Sequence, residues 1–552
     1  MGTSKAAHPI PPRPDLSQAP IRAILAAMTE PNSAAPFRYD EVPYEGHAYS
    51  VSHIDRLATM GRLFGLDTPD PRHARVLEIG CAAGGNLIPM ALTHPHASFV
   101  GFDLSAVEID EGNTLLAPFG LDNIELRHAD IMDVDESWGD FDYILCHGVW
   151  SWVPELVQAR IFDLCRDRLR PDGVAYISYN VYPGWRLRQM IRDMMLFHTA
   201  GFDTPGEKVE QARALLEFLA TVHGSENDHP YARWIRSEAQ MMRGQTDSYL
   251  YHDHLSDRNE PVYFFEFVEQ AMAHRLSYLA DAHFSSMLAI HMPEQAREFL
   301  TSLDDLVRSE QYMDFVRQRM FRTSYLVHQD APIDRTLDWS RLVRFHVAAK
   351  GTFDPGDGPL SDPTVTAQVT DGEKSMSTDD PVMKASLQIL SAAWPGTVPF
   401  EDLLARARAK VGVTGDDHED RESLGGLLLS CYANNMVELW TAPPPVVARS
   451  DRPEVFTWAR VQIARGFFGV TNLRHEAVRL DQMLSQVLFL ADGTRTREAL
   501  IDEAMANTLR NGGVVQDKDG APLTEEADLR AAFAEAVDEA LEKASELSLL
   551  FR

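Results

Sequence analysis

The chain has 552 residues, 45% of them apolar, which is enough for more than one domain with a well-filled core. Its 82 acidic and 51 basic residues give a net charge of −31, and so acidic a surface disfavours a nucleic-acid backbone as the main partner. The four cysteines are widely separated and form no C-x-x-C pair, which predicts a reduced, cytoplasmic protein without a cysteine-based zinc site.

The N-terminal segment, residues 1–36, is rich in proline, alanine and serine. We interpret it as a disordered arm; the alternative, a signal peptide, lacks a charged start followed by a clean apolar core. Residues 37–53 contain tyrosines and histidine in a stretch with no helical or strand period. This segment either covers a bound ligand or packs as a strap. No apolar run in the sequence approaches the length that spans a membrane.

From residue 75 onward, short apolar runs alternate with amphipathic stretches. The predicted strands are 75–81, 98–103, 124–130, 141–147 and 173–180. The predicted helices between them are 84–92, 105–116 and 155–169. Alternation at this rhythm predicts a parallel sheet that is covered by helices on both faces.

After residue 185 the pattern becomes helical for a long stretch. The predicted helices are 186–198, 207–221, 228–242 and 264–275, and two late strands follow at 276–280 and 321–328. We therefore expect one sheet domain over residues 37–330, with a helical insertion at about 186–258.

The remaining chain predicts two smaller domains. Residues 351–363 are rich in glycine, proline and aspartate and indicate a linker or an edge region. Residues 331–445 end in three helical stretches and a short strand, a pattern typical of a winged helix. Residues 446–552 have a similar, mainly helical layout, which we also interpret as winged-helix-like.

The sequence VLEIGCAAGGN at residues 76–86 predicts a strand, a tight glycine turn and the start of a helix. Glycines let a ligand approach the backbone closely, and the helix start offers unpaired N–H groups. The next buried strand, 98–103, ends in Asp103, which in such a sheet can bind both hydroxyls of a ribose. These features predict a nucleoside cofactor, either a dinucleotide or S-adenosylmethionine.

Three acids favour S-adenosylmethionine over a dinucleotide. Glu78 lies two residues before the first glycine, where turns that bind this cofactor carry an acid. Asp103 and Asp130 end successive strands, and Asp130 can accept the adenine amino group while the N–H of Ile131 meets a ring nitrogen. The predicted fold is therefore α/β: a Rossmann-like, seven-stranded class I methyltransferase sheet with a helical insertion, followed by mainly helical winged-helix-like domains.

Several motifs are similar to those of the rickettsial-type protein-lysine methyltransferases that modify an outer-membrane protein. They are YDEVPY (39–44), VLEIGCAAGGNLIPMA (76–91), CHGVWSWVP (146–154), AYISYN (175–180), PGW (183–185) and IRDMM (191–195). The resemblance implies S-adenosylmethionine as cofactor and lysine N-methylation as reaction. Downstream, the chain resembles the methyltransferase regulatory region of the same family, which implies a regulatory role for residues 331–445.

The candidate site residues follow the predicted strands. The predicted cofactor contacts are Glu78, Gly80, Cys81, Ala82, Gly84, Asn86, Asp103, Leu104, Asp130, Ile131 and His147. The predicted catalytic residues are Tyr44, His147, Trp150, Trp152 and Tyr179.

The catalytic candidates are chosen for the chemistry of an amine. An aromatic cluster can hold an ammonium group by cation–π contact; its members are Trp150, Trp152, Tyr179, Tyr182 and Trp185. For the two tryptophans of the CHGVWSWVP motif, a role as core anchors is the alternative. A histidine or tyrosine can orient or deprotonate the amine, although a structural hydrogen bond is the alternative for the histidine.

The predicted acceptor is a lysine of a protein or peptide. The alternatives are a small-molecule N- or O-methyltransferase, with the insertion as a lid, and a non-catalytic, cofactor-sensing scaffold. The Asn/Asp-Pro-Pro-aromatic tetrad of nucleic-acid amino methylases does not occur after the fourth strand, which disfavours nucleic acid. His252 and His254 lack an evident third ligand, so no metal site is predicted. The oligomeric state is left open.

Overall fold

The computed structural model describes residues 46–224, 227–447, 450–467, 469–516 and 522–551. The predicted arm at 1–36 and the candidate Tyr44 lie outside these residues and stay predictions. The described residues form two compact units. One is the helical segment Arg186–Asn259, and the other joins the residues up to Trp185 with those from Glu260 onward.

A seven-stranded sheet organises the larger unit. Its strands are β1 (Arg75–Ile79), β2 (Ser98–Asp103), β3 (Ile124–His128), β4 (Phe141–Cys146), β5 (Leu169–Asn180), β6 (Leu276–Asp281) and β7 (Phe321–His328). The order is β3-β2-β1-β4-β5-β7-β6, and β7 alone runs antiparallel to its neighbours. The chain crosses back from β3 to β4, so the carboxyl ends of β1 and β4 border the crevice where such sheets bind ligands. The predicted sheet is thus confirmed.

Both faces of the sheet are buried. Side chains alternate between the faces along each strand, so Val76 and Tyr143 join one apolar cluster whereas Leu77 and Ile144 join the other. This double burial explains why strands such as β4 contain runs of apolar residues, here 143–146, in place of a clean alternation with polar ones. Each fully buried leucine or isoleucine contributes roughly 2 kcal/mol to folding, so the two clusters give the crevice a rigid floor.

Helix α1 (Ile54–Leu63) precedes β1. Three helices follow β1, β2 and β4 as the sequence predicts, namely α2 (Leu87–Thr93), α3 (Ala106–Leu116) and α4 (Glu155–Arg168). The Ser105 side chain caps α3 by accepting a hydrogen bond from the backbone N–H of Glu108, which fixes the direction of the chain just after β2.

The smaller unit is helical. Its helices are α5 (Gly184–Thr199), α6 (Pro205–His223) and α7 (Pro230–Arg243), followed by a short helical turn at Asp247–Tyr249 and a π-helical turn at Leu250–His254. Apolar side chains at helical spacing, among them Ile191, Met195, Ala212 and Ile235, form a core of its own.

Three helices complete the sheet domain between β5 and β7. They are α8 (Phe264–Ala273), α9 (Glu294–Thr301) and α10 (Leu306–Arg317). Among the described residues, none of the helices is both long enough and apolar enough to cross a bilayer.

The middle region contains more strands than the sequence predicts. Its elements are β8 (His346–Ala348), β9 (Thr352–Asp354), β10 (Ala367–Asp371), β11 (Lys374–Thr378), α11 (Pro381–Ala393), β12 (Val398–Pro399), α12 (Phe400–Val411), α13 (His418–Ala433) and β13 (Glu438–Trp440). They form two three-stranded sheets, β11-β10-β9 and β12-β8-β13. The predicted linker at 351–363 therefore includes a strand, and a strand of three residues is too short for a period of two to be recognised.

The C-terminal region is mainly helical and contains one hairpin. Its elements are α14 (Thr457–Ala464), β14 (Gly469–Thr471), β15 (Ala477–Arg479), α15 (Gln482–Leu490), α16 (Arg497–Arg510) and α17 (Glu526–Glu546). Its apolar core includes Ile88 of α2, so this domain packs directly on the helix that follows the glycine turn.

Candidate active site

The turn after β1 is built for close approach of the backbone. Gly80 has a φ of 70°, and a Cβ added there would lie 2.4 Å from Cγ2 of Val149. A Cβ on Gly85 would lie 2.5 Å from the backbone carbonyl of Gly46. Both contacts need glycine, because a side chain would push the neighbouring segment away. The turn therefore presents bare backbone at the crevice.

Asp103 holds the turn from the end of β2. One carboxylate oxygen accepts a hydrogen bond from the backbone N–H of Ala82 at 2.9 Å, and the other accepts from the N–H of Ser105 at 2.9 Å. At the end of β3, the Asp130 side chain accepts from the N–H of Met132 at 2.9 Å. Since adjacent strands lie about 4.8 Å apart, the acids that end β2 and β3 are neighbours along one edge of the sheet.

The structure brings the predicted cofactor residues to this edge. Those on or beside the turn after β1 are Glu78, Gly80, Cys81, Ala82, Gly84 and Asn86, and those after the other strands are Asp103, Leu104, Asp130, Ile131 and His147. Cys81 and Ile131 are buried, whereas Leu104 is 46% exposed.

Glu78 is the buried acid of the site. Its Oε1 accepts a hydrogen bond of 2.6 Å from Nδ2 of Asn86. Its Oε2 is buried and has no hydrogen-bond partner among the described residues. Burial raises the pKa of Glu78 to about 8. A buried carboxylate oxygen without a donor is costly unless a ligand supplies one, and the ammonium group of S-adenosylmethionine fits this requirement.

Residues 46–52, called the strap below, lie against the turn. Asn86 Oδ1 accepts hydrogen bonds of 3.1 Å from both the backbone N–H of Tyr49 and the hydroxyl of Ser52. The Tyr49 ring stacks on His147 with a centroid distance of 3.5 Å. The Tyr325 hydroxyl of β7 donates to the carbonyl of Val51 at 2.6 Å. The strap is thus fixed to the turn after β1, to His147 just after β4 and to β7. These individual contacts were not predicted from the sequence.

The predicted catalytic residues fall into two groups. Trp150 is fully buried, and Tyr179 is 1% exposed. The Tyr179 ring stacks on Phe267 at 3.7 Å and its hydroxyl shares a hydrogen bond of 2.9 Å with Ser324. Both side chains lie in the apolar core beneath the site. For Trp150, this position agrees with the alternative role of a core anchor. Trp152 is only half-buried and meets Trp185 edge to face at 6.3 Å.

His147 lies at the end of β4 between two tyrosine rings. Its Nδ1 shares a hydrogen bond of 2.6 Å with the Tyr176 hydroxyl, and its other neighbour is the stacked Tyr49. Burial lowers the pKa of His147 to about 3, so the ring is neutral near pH 7. This environment suits a neutral, stacked imidazole rather than one that carries charge.

The contact between the turn and the strap gives a first testable prediction. Gly85→Ala is expected to weaken S-adenosylmethionine binding roughly tenfold or more, since overpacking at such a contact costs about 1–3 kcal/mol. Isothermal titration calorimetry measures the change. The matched control is Gly426→Ala on α13, where an added Cβ meets no atom within 4 Å. Equal affinities for both variants would contradict a role of the strap in the site.

Family models, related sequences and solved structures show which family the chain belongs to. Family models match a methyltransferase domain at residues 76–173, a "predicted methyltransferase regulatory domain" at 246–328, and the "PKMT, C-terminal winged helix domain" at 451–549. An uncharacterized protein of Rickettsia prowazekii is 37% identical over 502 residues, which is 89% of this chain and 90% of that protein. The solved structure of PKMT2 from Rickettsia typhi is similar to this chain with a TM-score of 0.82 and 30% identity, covering 92% of this chain and 100% of PKMT2. The chain belongs to this PKMT family.

The same PKMT2 has been solved in complex with AdoHcy, and that structure is similar with a TM-score of 0.81. The methyltransferase-domain match covers β1 to β4, including the turn, Glu78 and Asp103. This member of the PKMT family is therefore an S-adenosylmethionine-dependent methyltransferase. The regulatory-domain match, 246–328, contains β6 and β7 of the sheet and precedes the segment 331–445 to which the sequence assigned regulation.

Sequence reasoning missed one residue of the site altogether. His475, in the loop between β14 and β15, approaches Asn86 to 2.7 Å although the two residues are 389 positions apart. No local pattern links them, and the hairpin that carries His475 was itself not predicted.

Proposed function

We propose that this protein transfers a methyl group from S-adenosylmethionine to the side-chain amine of lysine in a protein acceptor. The observation that carries this proposal is the likeness to PKMT2, which extends over 92% of this chain and 100% of PKMT2. A methyltransferase sheet alone does not fix the acceptor. Likeness across every domain, together with the sequence motifs around Trp152 and Tyr182, supports a shared class of acceptor.

Three acids are proposed to hold the cofactor. Glu78 pairs with the ammonium group, Asp103 binds the ribose hydroxyls, and Asp130 accepts from the adenine amino group beside the N–H of Ile131. When bound, S-adenosylmethionine supplies a methyl group on a positively charged sulfur, already activated for in-line displacement by a lone pair. The protein then contributes mainly alignment, because holding two reactants in line converts a bimolecular step into an effectively unimolecular one.

Half-buried aromatic rings are proposed to receive the lysine. Trp152 and Tyr182 follow β4 and β5 at the crevice edge, and such rings attract an ammonium group. A lysine with a pKa of about 10.4 in water must lose its proton before it attacks, and desolvation between rings favours the neutral amine. His147, whose pKa is about 3 through burial, is too weak a base to take that proton. Its proposed role is to hold Tyr49 and the strap.

The charge of the chain also supports a basic acceptor. A net charge of −31 favours a lysine-bearing segment over an acidic or nucleic-acid acceptor.

The test is transfer of label from methyl-labelled S-adenosylmethionine into a cell lysate, followed by acid hydrolysis and separation of the amino acids. We expect label in methylated lysine. Asp103→Ala should abolish it, whereas Asp416→Ala, at an exposed carboxylate, should not. Label confined to small molecules would support the small-molecule alternative, and cofactor binding without any transfer would support a scaffold.

All four cysteines are free and buried. On this ground we also propose a reducing, cytoplasmic compartment for the chain.

A further inference from the structure

A hairpin of the C-terminal domain ends at the cofactor turn. β14 and β15 pair antiparallel and are joined by residues 472–476. The Asn472 side-chain oxygen accepts hydrogen bonds of 2.9 Å from the backbone N–H groups of both Arg474 and Glu476. His475, at the tip, has a φ of 62°. This left-handed conformation is unfavourable for a non-glycine residue, so the loop holds His475 in a conformation it would not adopt alone.

The hairpin is anchored on both sides. Arg474 is buried, forms an ion pair with Glu438 and lies over the Trp394 ring at 4.2 Å. Leu473 shares an apolar cluster with Ile88 of α2. The position of His475 is therefore set by packing against both the middle region and the helix after the glycine turn.

The contact between His475 and Asn86 has a defined direction. Nε2 of His475 lies 2.7 Å from Oδ1 of Asn86. The backbone N–H of Tyr49 contacts the same atom, and because a backbone N–H only donates, that atom is the carbonyl oxygen of the amide. Nε2 of His475 must therefore carry the proton and donate it. Burial lowers the pKa of His475 to about 3, which keeps the ring neutral with its single proton at Nε2.

The amide of Asn86 transmits this constraint to Glu78. The amide is planar, so fixing Oδ1 also fixes Nδ2, which donates to Oε1 of Glu78 at 2.6 Å. That bond in turn sets the direction of Oε2, the buried oxygen without a partner among the described residues. A chain of two hydrogen bonds thus runs from the hairpin to the acid of the cofactor turn.

We propose that His475 is a positioning residue for cofactor binding, which the C-terminal domain contributes by fixing Asn86 and thereby aiming Oε2 of Glu78 at the ammonium group of S-adenosylmethionine. The proposal rests on the use of this cofactor and not on the identity of the acceptor. By linkage, the docked hairpin strengthens cofactor binding, and the bound cofactor stabilises the docked hairpin to the same extent.

The test compares three substitutions by isothermal titration calorimetry with S-adenosylmethionine. His475→Ala removes the donor and should weaken binding about five- to tenfold, the value of one buried hydrogen bond. His475→Gln places an N–H donor about as far from the backbone as Nε2 of the histidine. Its affinity should be within about twofold of that of the unsubstituted protein. His475→Asn is the matched control, since it tolerates the left-handed backbone but is too short to reach Asn86; it should bind as weakly as His475→Ala.

Hydrogen exchange supplies the second readout. In the unsubstituted protein, S-adenosylmethionine should slow amide exchange in residues 469–479, and this protection should be lost in His475→Ala. The proposal is overturned if folded His475→Ala binds the cofactor as tightly as the unsubstituted protein. It is also overturned if the Gln and Ala variants lose affinity equally and in proportion to a fall in thermal stability, because that result indicates general loosening of the hairpin.

Discussion

Replacing Glu78 by glutamine is expected to weaken the binding of S-adenosylmethionine by about two to three orders of magnitude. Glutamine keeps the shape of the side chain and can still accept the hydrogen bond from Asn86 Nδ2. It cannot supply the negative charge that an ammonium group needs in a buried site. Calorimetric titration measures the loss. The matched control is Glu155→Gln on an exposed turn of α4, which should leave binding unchanged.

The same carboxyl predicts the pH dependence of binding. Burial raises the pKa of Glu78 to about 8 in the ligand-free protein, so near pH 7 the carboxyl carries a proton that must leave before it can pair with an ammonium group. Affinity should therefore fall about tenfold for each pH unit below 8, and about one proton should be released on binding near pH 6.5. An α-amino group with a pKa of about 8 loses its charge above that pH, so affinity should fall again there.

Two observations would contradict this account of Glu78. One is a fall in cofactor affinity below pH 8 that persists in Glu78→Gln, which would mean that another group titrates. The other concerns the ligand-free protein. A carboxyl whose folded pKa is raised contributes stability that is complete below its unfolded pKa of 4.5 and is lost as the pH rises through about 8. Unfolding of the unsubstituted protein should show this loss, and Glu78→Gln should not.

The cofactor end of the site could be predicted because its signals are local. Glu78, Asp103 and Asp130 each end, or nearly end, a predicted strand, and parallel strands bring their carboxyl ends together without further information. The strands themselves were readable because both faces of the sheet are buried, which leaves mostly apolar strands such as β4, where every residue is buried and Asp142 is the one charged residue.

The acceptor end could not be resolved in the same way. Trp150 follows β4 much as Trp152 does, and Tyr179 and Tyr182 lie on either side of the end of β5, so position alone does not decide which rings turn inward. The deciding contact is made by Phe267 of α8, which meets the Trp150 ring edge to face at 5.3 Å and stacks on Tyr179. Such a contact depends on packing between distant segments, which neither periodicity nor residue type reveals.

Long-range polar contacts were equally invisible. The strap, the turn and the hairpin meet at the side-chain amide of Asn86. Tyr49 and His475, which both contact this amide, lie in segments whose sequences share no pattern. The short strands β8 to β11 escaped prediction because three to five residues with a glycine- and proline-rich neighbourhood carry too little period to identify.

Replacing Arg322 by methionine is expected to destabilise the larger unit by about 3–5 kcal/mol, since removing one partner of a buried ion pair leaves charge without compensation. Arg322 is 1% exposed on β7. Its Nε and Nη2 donate to the two oxygens of Asp314 at 2.7 and 2.9 Å, and Nη1 donates to Glu310 at 2.8 Å. The guanidinium also lies 3.6 Å from the centroid of Phe264. These contacts join β7 to α8 and α10. Urea unfolding measures the expected decrease in the free energy of unfolding.

Two further substitutions show how much of the stability lost in Arg322→Met comes from charge and how much from hydrogen-bond geometry. Arg322→Lys keeps the charge but not the planar fork, so its loss should be intermediate. Arg530→Met breaks an exposed cluster with Asp502 and Glu498 on α16 and should cost less than about 1 kcal/mol. The loss of stability in Arg322→Met should also shrink as the pH falls. Burial already raises the pKa of Glu310 against the lowering effect of Arg322, so without that cation the carboxyl becomes neutral more readily. A deficit that stays constant from pH 8 to pH 5 would show that lost packing on Phe264, and not unpaired charge, governs the stability of this part of the sheet.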